Sequence, residues 1–281
     1  MTIVQRIITL FTCMAFLVSG FAQKKVQQIE IVHADYTMMD KSINPDAQML
    51  IGDVVFKHEN AIMKCDSAYY YPNSNYVEAF DNIHINQGDT LHLYGDFLIY
   101  SGIEKLAKVR RNVKLVDKQS TLTTQYLDFN LGEDFAYYIN GGHIINGENN
   151  LDSETGYYYS KRKVFYFKDS VVIVNPDYNM YSDTLRYNTV SKVAFFLGPT
   201  EIISKNNYIY CENGWYNTET NISQFEENAF IRGEHRTISG DSLYYERDNG
   251  FGEAFMNVVI NDTLDKIILN GNYARYYENP E

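Results

Sequence analysis

Residues 65–70 read Cys-Asp-Ser-Ala-Tyr-Tyr and residues 240–245 read Gly-Asp-Ser-Leu-Tyr-Tyr, and the two phrases hold the same place in a repeat. With Asp66 as anchor, equivalent positions fall at Asp96, Gln125, Glu154, Asp183, Glu212, Asp241 and Asn272, spaced 30, 29, 29, 29, 29, 29 and 31 residues. Periods of this length mark stacked arrays. Four residues after each anchor stands an aromatic: Tyr70, Tyr100, Phe129, Tyr158, Tyr187, Tyr216, Tyr245 and Tyr276. Aromatics are only 15% of the chain, so an unbroken column of them is not chance.

Other columns keep the same step. Three residues before the anchor stand Met63, Leu93, Leu122, Leu151, Met180, Ile209, Ile238 and Leu269, and nineteen after it Ile85, Leu115, Ile144, Ile173, Ile202, Ile231 and Ile260. Ten after it come Tyr76, Leu106, Phe135, Val164, Val193, Ile222 and Phe251. Polar or Gly-containing triplets such as Asn73-Ser74-Asn75 and Asp248-Asn249-Gly250 separate these columns and read as turns. Each repeat therefore reads as two β-strands of about ten residues joined by short turns, in keeping with the β-branched and aromatic content. The expectation is an all-β, elongated stack of about eight two-strand repeats, roughly 16 strands, forming one domain over residues 23–281.

Side chains alternate faces along a strand, so the columns two and four residues after the anchor share a face while the column three before it has the opposite parity. Between them, one residue before the anchor, stand Cys65, Gly95, Thr124, Ser153, Ser182, Cys211, Gly240 and Gly271, all small. A bulge there absorbs one residue and returns all three columns to one interior. A bend is expected at that position in every repeat. Cys65 and Cys211 then lie five repeats apart, at least about 24 Å at strand spacing, beyond the reach of a disulfide. They are expected to be free and buried.

Residues 1–22 read as an address rather than as fold. Arg6 precedes an apolar run from Ile7 to Val18, followed by Ser19-Gly20-Phe21-Ala22. This is the pattern of a secretory signal, with cleavage expected after Ala22 and an uncleaved anchor as the alternative. Cys13, inside the apolar run, follows Thr12 and is a poor lipid-attachment site. The formal charge of -12, from 24 Lys plus Arg against 36 Asp plus Glu, argues against a nucleic-acid binder. A mean hydropathy of -0.35 excludes a polytopic helical membrane protein.

No site of chemistry emerges. His33, His58, His84, His92, His143 and His235 show no metal-ligand spacing along the chain. The anchor carboxylates Asp66, Asp96, Asp183 and Asp241 lack the nine-residue Gly-rich period of calcium β-rolls, and a turn or edge role accounts for them better. No cofactor, metal or catalytic residue is assigned, and a non-enzyme is expected. Of two basic clusters, Lys108, Arg110, Arg111 and Lys114 are the better candidate for a phosphate contact, while Lys161, Arg162 and Lys163 read as a solvated turn. Unpaired first and last strands invite strand addition.

A chain of stacked two-strand repeats with phrases such as Cys65-Asp66-Ser67-Ala68-Tyr69-Tyr70 and Ala79-Phe80-Asp81-Asn82-Ile83 resembles the OstA-like family over about residues 29–281. This is the organic-solvent-tolerance N-terminal domain of the periplasmic lipopolysaccharide-transport proteins LptA and LptC and of the periplasmic part of LptD. Composition and the Phe21-Ala22-Gln23 region resemble a Bacteroidetes member. The resemblance implies a β-jelly-roll, or β-taco, whose apolar interior shields the acyl chains of lipopolysaccharide or another acylated lipid. It implies periplasmic residence, association with the inner or outer membrane, and edge-strand stacking on LptC-like or LptD-like partners or head-to-tail on itself. The implied trough residues are Tyr70, Tyr100, Phe129, Tyr158, Tyr187, Tyr216, Tyr245, Tyr276, Leu93, Leu122, Leu151, Ile209, Ile144, Ile173 and Ile202.

On the residues alone, an open trough and a closed core account for the columns equally well. A polysaccharide-binding repeat protein or carbohydrate-active enzyme is the alternative function, with outward tyrosines such as Tyr69, Tyr157 and Tyr244 as sugar platforms. An outer-membrane β-barrel is a third reading, weakened by the short, even turns.

Overall fold

The computed structural model describes residues 27–39, 45–88, 91–118, 120–133, 135–159 and 161–277. The signal segment and Cys13 lie outside them. The described chain is all β: 22 strands in one antiparallel sheet, each rung hydrogen-bonded to the next in sequence. Gln48–His58, Ala61–Tyr71, Tyr76–Gln87, Leu91–Ser101, Leu106–Val116 and Ser120–Asn130 are continuous rungs. Further on, Phe135–Tyr138 and Gly142–Asn146 pair with the same neighbour and form one broken rung. Such breaks raise the count above the 16 expected from the repeat. Among the described residues, Glu30–His33 and Tyr36–Met38 pair only with Gln48–His58, and Ile267–Tyr277 pairs only with Phe251–Asp262, so the sheet does not close into a barrel.

The bend falls where the small column stands. In Ala61–Tyr71 the buried residues are Ala61, Met63 and Cys65, then Ala68 and Tyr70, so the buried parity switches across Asp66-Ser67. The ladder to the next strand skips from Lys64↔His84 to Ser67↔Phe80 at the same place. On that next strand, Asp81 and Asn82 both adopt left-handed backbone, with φ of 59° and 50°. The device recurs at Gly52-Asp53, Arg111-Asn112, Asn140-Gly141, Asp169-Ser170, Glu227-Asn228 and Met256-Asn257, and as a lone Gly198 before Pro199. Each rung thus has an elbow made of two parts: a small residue on one strand and a left-handed pair on its neighbour.

Side chains lock the elbow. Asn82 Nδ2 donates to Asp66 Oδ2 at 2.8 Å, Asn112 Nδ2 to Asp96 Oδ2 at 2.6 Å, Asn228 Nδ2 to Glu212 Oε1 at 3.0 Å and Asn257 Nδ2 to Asp241 Oδ1 at 3.1 Å. The anchor carboxylates therefore act at the corner, and asparagine is the side chain that best tolerates left-handed backbone. The small column faces the same crowding from inside. A Cβ on Gly95 would lie 2.4 Å from Val109 Cγ1. Where the column carries hydroxyls, they are bonded: Thr124 Oγ1 donates to the Gly141 carbonyl at 2.7 Å, and Ser182 Oγ and Thr200 Oγ1 are 2.8 Å apart.

The elbow folds the sheet over itself. Phe56 pairs with Met63, and seven residues of flat strand would put Met63 about 23 Å from Tyr70. Instead the Phe56 and Tyr70 rings meet at 6.1 Å between centroids. Both arms thereby face one interior. Cys65 and Cys211 are free and buried in it, and burial pushes each thiol up to about 12. The column ten residues after the anchor, from Tyr76 to Phe251, lies half-buried at the strand starts, and the fully buried positions are one and three residues later, such as Val77 and Ala79.

Asn82→Ala is expected to lower stability by about 1 kcal/mol, the cost of left-handed backbone for an ordinary residue. Asn82→Gly should stay within about 0.5 kcal/mol of the parent. Urea-denaturation midpoints of the two variants check the order.

Candidate functional site

The interior is not filled evenly along the stack. From Ile29 to Tyr138 one cluster of fully buried residues closes the space between the arms, with Leu50, Leu93, Leu98 and Tyr100 each 2% exposed or less. A second cluster runs from Leu151 to Val258, and many of the side chains packed on it are only half-buried, among them Ile144, Phe165, Ile173, Tyr187, Ile202, Ile209 and Tyr216.

The closed part is fastened at its mouth by the chain's own N-terminal segment. Ile29 is buried, its N–H donates to Asn75 Oδ1 at 2.8 Å, and its carbonyl accepts from Tyr70 Oη at 2.9 Å. The Gln27 carbonyl accepts from Asn75 Nδ2 at 2.9 Å and lies 3.0 Å from His58 Nε2. His58 Nδ1 is 2.6 Å from Tyr100 Oη, tying the tip of one arm to the other. Beside it Lys105 Nζ meets Glu59 Oε1 at 2.6 Å. Tyr70, Tyr100 and Leu93 are therefore sealed in, and desolvation raises the pKa of both tyrosines. Phe129 lies at the boundary, buried yet on the wall of the first cavity.

Beyond that boundary the arms stand apart and leave three adjoining cavities. The first, about 230 Å³, runs between Leu115, Leu122 and Ile144 on one arm and Phe129, Tyr158 and Phe165 on the other. The second, about 150 Å³, shares Ile144, Phe165 and Phe167 with it and adds Leu151, Ile173, Met180 and Tyr187. The third, about 450 Å³, shares Tyr178, Met180 and Tyr216 with the second and adds Ile202, Ile209 and Tyr245. The shared walls make one apolar channel through the middle of the stack. Eleven of the fifteen residues implied by the resemblance line it or its boundary: Phe129, Tyr158, Tyr187, Tyr216, Tyr245, Leu122, Leu151, Ile144, Ile173, Ile202 and Ile209. Tyr276 stacks on Tyr245 at 6.3 Å, outside the cavities.

Size complementarity shapes the walls. Tyr138 projects inward where a Cβ on Gly142 would lie 2.4 Å, and one on Gly156 2.2 Å, from its ring. Its hydroxyl is 2.7 Å from Ser153 Oγ, and burial lifts its pKa to about 12. Tyr178, at the joint of the second and third cavities, is likewise pushed up to about 12, chiefly by desolvation. At the mouth of the third cavity Arg247 Nη2 meets Asp177 Oδ2 at 2.8 Å and bridges the two arm tips. A mainly apolar, ring-lined interior, with Asp117, Lys163 and Lys205 among the few charged residues on its walls, suits hydrocarbon. Inner aromatics thirteen residues after the anchor, Tyr138, Phe167, Phe196 and Phe225, are equally part of this interior.

A family model described as OstA-like protein matches residues 26–183 and 179–241. A comparison with curated proteins finds no match. Among solved structures the chain is similar to LptH, the LptA-homologous periplasmic component of the lipopolysaccharide transport device of Pseudomonas aeruginosa, at 13% identity over 47% of this chain and 95% of that one, with a TM-score of 0.32. It is also similar to the WD40 domain of SCAP from fission yeast, at 8% identity over 92% of each chain and a TM-score of 0.11. Neither structural likeness is close enough to bear on the function.

The uneven filling predicts opposite outcomes for one substitution at two equivalent places. Tyr100→Asp buries an unpaired charge in the closed part and is expected to cost upwards of about 3 kcal/mol. Tyr187→Asp, on the channel wall, should leave the fold intact with a loss below about 1.5 kcal/mol. Thermal melts followed by circular dichroism distinguish them.

Proposed function

This chain belongs to the OstA-like protein family, and from that premise we propose that it is an exported, periplasmic carrier of lipopolysaccharide, holding the acyl chains in its interior during outer-membrane assembly. The observation that carries the reading is the channel: stacked apolar columns continue past residue 115, yet the arms do not meet there. Hydrocarbon needs buried area rather than hydrogen-bond readout, and such area stabilises a bound chain by about 25 cal/mol per Å². The acidic surface does not oppose this if the phosphorylated headgroup stays in solvent beyond the arm tips.

The free edge of Ile267–Tyr277 supports a relay by strand addition. Among the described residues its outer side has no partner, and Ile268, Leu269 and Tyr273 are 63%, 56% and 48% exposed. An edge of this length with apolar side chains is a template for a further strand. We assign it to an LptC-like or LptD-like jelly-roll or to a second copy of this chain. At the other end the sheet finishes in two short pieces, Glu30–His33 and Tyr36–Met38, broken at Ala34-Asp35, which make a poorer template. The single-domain organisation over residues 23–281, behind a cleaved signal at residues 1–22, is part of the same proposal.

Protein purified from the periplasm without detergent is expected to carry lipid A or another acylated species, identified by mass spectrometry after extraction. The Tyr187→Asp protein should retain at least fivefold less. Parent protein that carries no acylated lipid, and takes none up from lipopolysaccharide micelles, contradicts the proposal.

A further inference from the structure

Three tyrosines and a basic turn come together on the outer face, and one of them, Tyr157, also borders the first cavity. Tyr157 pairs across strands with Tyr166, and Tyr159 meets Tyr166 edge-on at 6.0 Å. Phe135 and Tyr137 back this group, their rings 6.1 Å and 6.2 Å from Tyr157. The turn that follows brings the guanidinium of Arg162 over the Tyr159 ring at 5.8 Å. Lys168 and Thr184, cross-strand partners, complete an open cleft of about 290 Å³ on the outer face.

Its chemistry differs from the rest of the surface. In a chain of formal charge -12, the cleft is lined by Tyr157, Tyr159, Arg162, Tyr166, Lys168 and Thr184 and by no carboxylate. Among the described residues, neither Arg162 nor Lys168 has an ion-pair partner, and the hydroxyls of Tyr157, Tyr159 and Tyr166 have no hydrogen-bond partner. Several outer tyrosines elsewhere are engaged. Tyr137 donates to Asp128 Oδ2 at 2.8 Å, Tyr244 donates to Glu246 Oε1 at 2.8 Å, and Tyr69 packs edge-on against Phe80. Of the outward tyrosines that the sequence offers as sugar platforms, Tyr157 lines this cleft.

We propose that this cleft is a second ligand site, adjoining the channel at Tyr157, that takes one anionic sugar residue of a glycan. Aromatic faces accept the apolar C–H face of a pyranose, and free phenol hydroxyls both donate to and accept from its hydroxyls. Arg162 and Lys168 supply charge-assisted hydrogen bonds to a phosphate or carboxylate substituent. A volume near 300 Å³, at the lower end of ligand pockets, limits the occupant to about one ring. Phosphorylated and uronic sugars share this chemistry.

Isothermal titration of the full mature chain tests the assignment with three probes: tetragalacturonate, an oligosaccharide ending in mannose 6-phosphate, and neutral maltotetraose. At least one anionic probe is expected to bind one per chain, at least tenfold tighter than maltotetraose, and the anionic arm that binds identifies uronate or phosphate as the substituent. Arg162→Gln and Tyr166→Ala should each weaken that binding at least tenfold while leaving the thermal midpoint and acyl-chain uptake unchanged. Should Tyr166→Ala fail to fold, Tyr159→Phe and Lys168→Gln, which remove only polar groups from the surface, must each lower affinity at least threefold. Absence of binding by both anionic probes, equal binding of maltotetraose, or affinity indifferent to these substitutions overturns the proposal.

Discussion

The whole architecture hangs on one local constraint: a β-strand cannot turn a corner and keep both halves facing the same way unless it absorbs one residue. Alternation of side chains fixes parity, and an elbow without a bulge would bury Met63 and expose Tyr70. Here the extra residue falls at Asp66-Ser67, and the neighbouring strand supplies two left-handed residues to follow the bend. Asparagine and glycine are common among these left-handed pairs because they tolerate that backbone at least cost. The carboxylate opposite holds the asparagine side chain. Repeating the same corner at nearly every period places all corners along one line, and a single sheet becomes a folded trough.

Given that trough, what happens inside depends on volume. In the first repeats, the buried Ile29, the His58–Tyr100 bond and the Gln27 contacts occupy and clasp the space between the arms. Past Leu115 no such strap is present among the described residues, and the arms enclose cavities instead of filling them. The aromatic column is the same along the whole stack. Its members are core residues where the arms meet and wall residues where they do not. The stack thus has a closed section followed by an open one.

Fold class, period, the position of the bend and the state of the cysteines were legible because each is a statement about columns. A run of small residues from Cys65 to Gly271 between two apolar columns of opposite parity has only one good geometrical solution. The second half of the elbow was legible in principle but missed: Asn82, Asn112, Asn228 and Asn257 form a column sixteen residues after the anchor, invisible to a search for apolar periodicity. The column from Tyr76 to Phe251 lies half-buried at the strand starts, where parity does not carry through the preceding turn. Most of the channel wall could be named in advance, yet not the division into closed and open parts. That division rests on contacts between residues more than forty apart, such as His58 with Tyr100, and on a strap outside the repeat. Likewise His84 and His92, unremarkable along the chain, stand 3.1 Å apart across two strands.

The central claim is that acyl chains lie in the open section and are excluded from the closed one. Site-specific photo-crosslinking measures this directly, with p-benzoylphenylalanine placed in turn at Ile144 and Tyr187 on the channel wall and at Leu93 and Tyr100 in the closed part, in cells making lipopolysaccharide. Lipopolysaccharide adducts at Ile144 and Tyr187, with none at Leu93 and Tyr100 in folded protein, are the predicted result. Adducts of equal yield at all four positions, or at the closed pair alone, would contradict it.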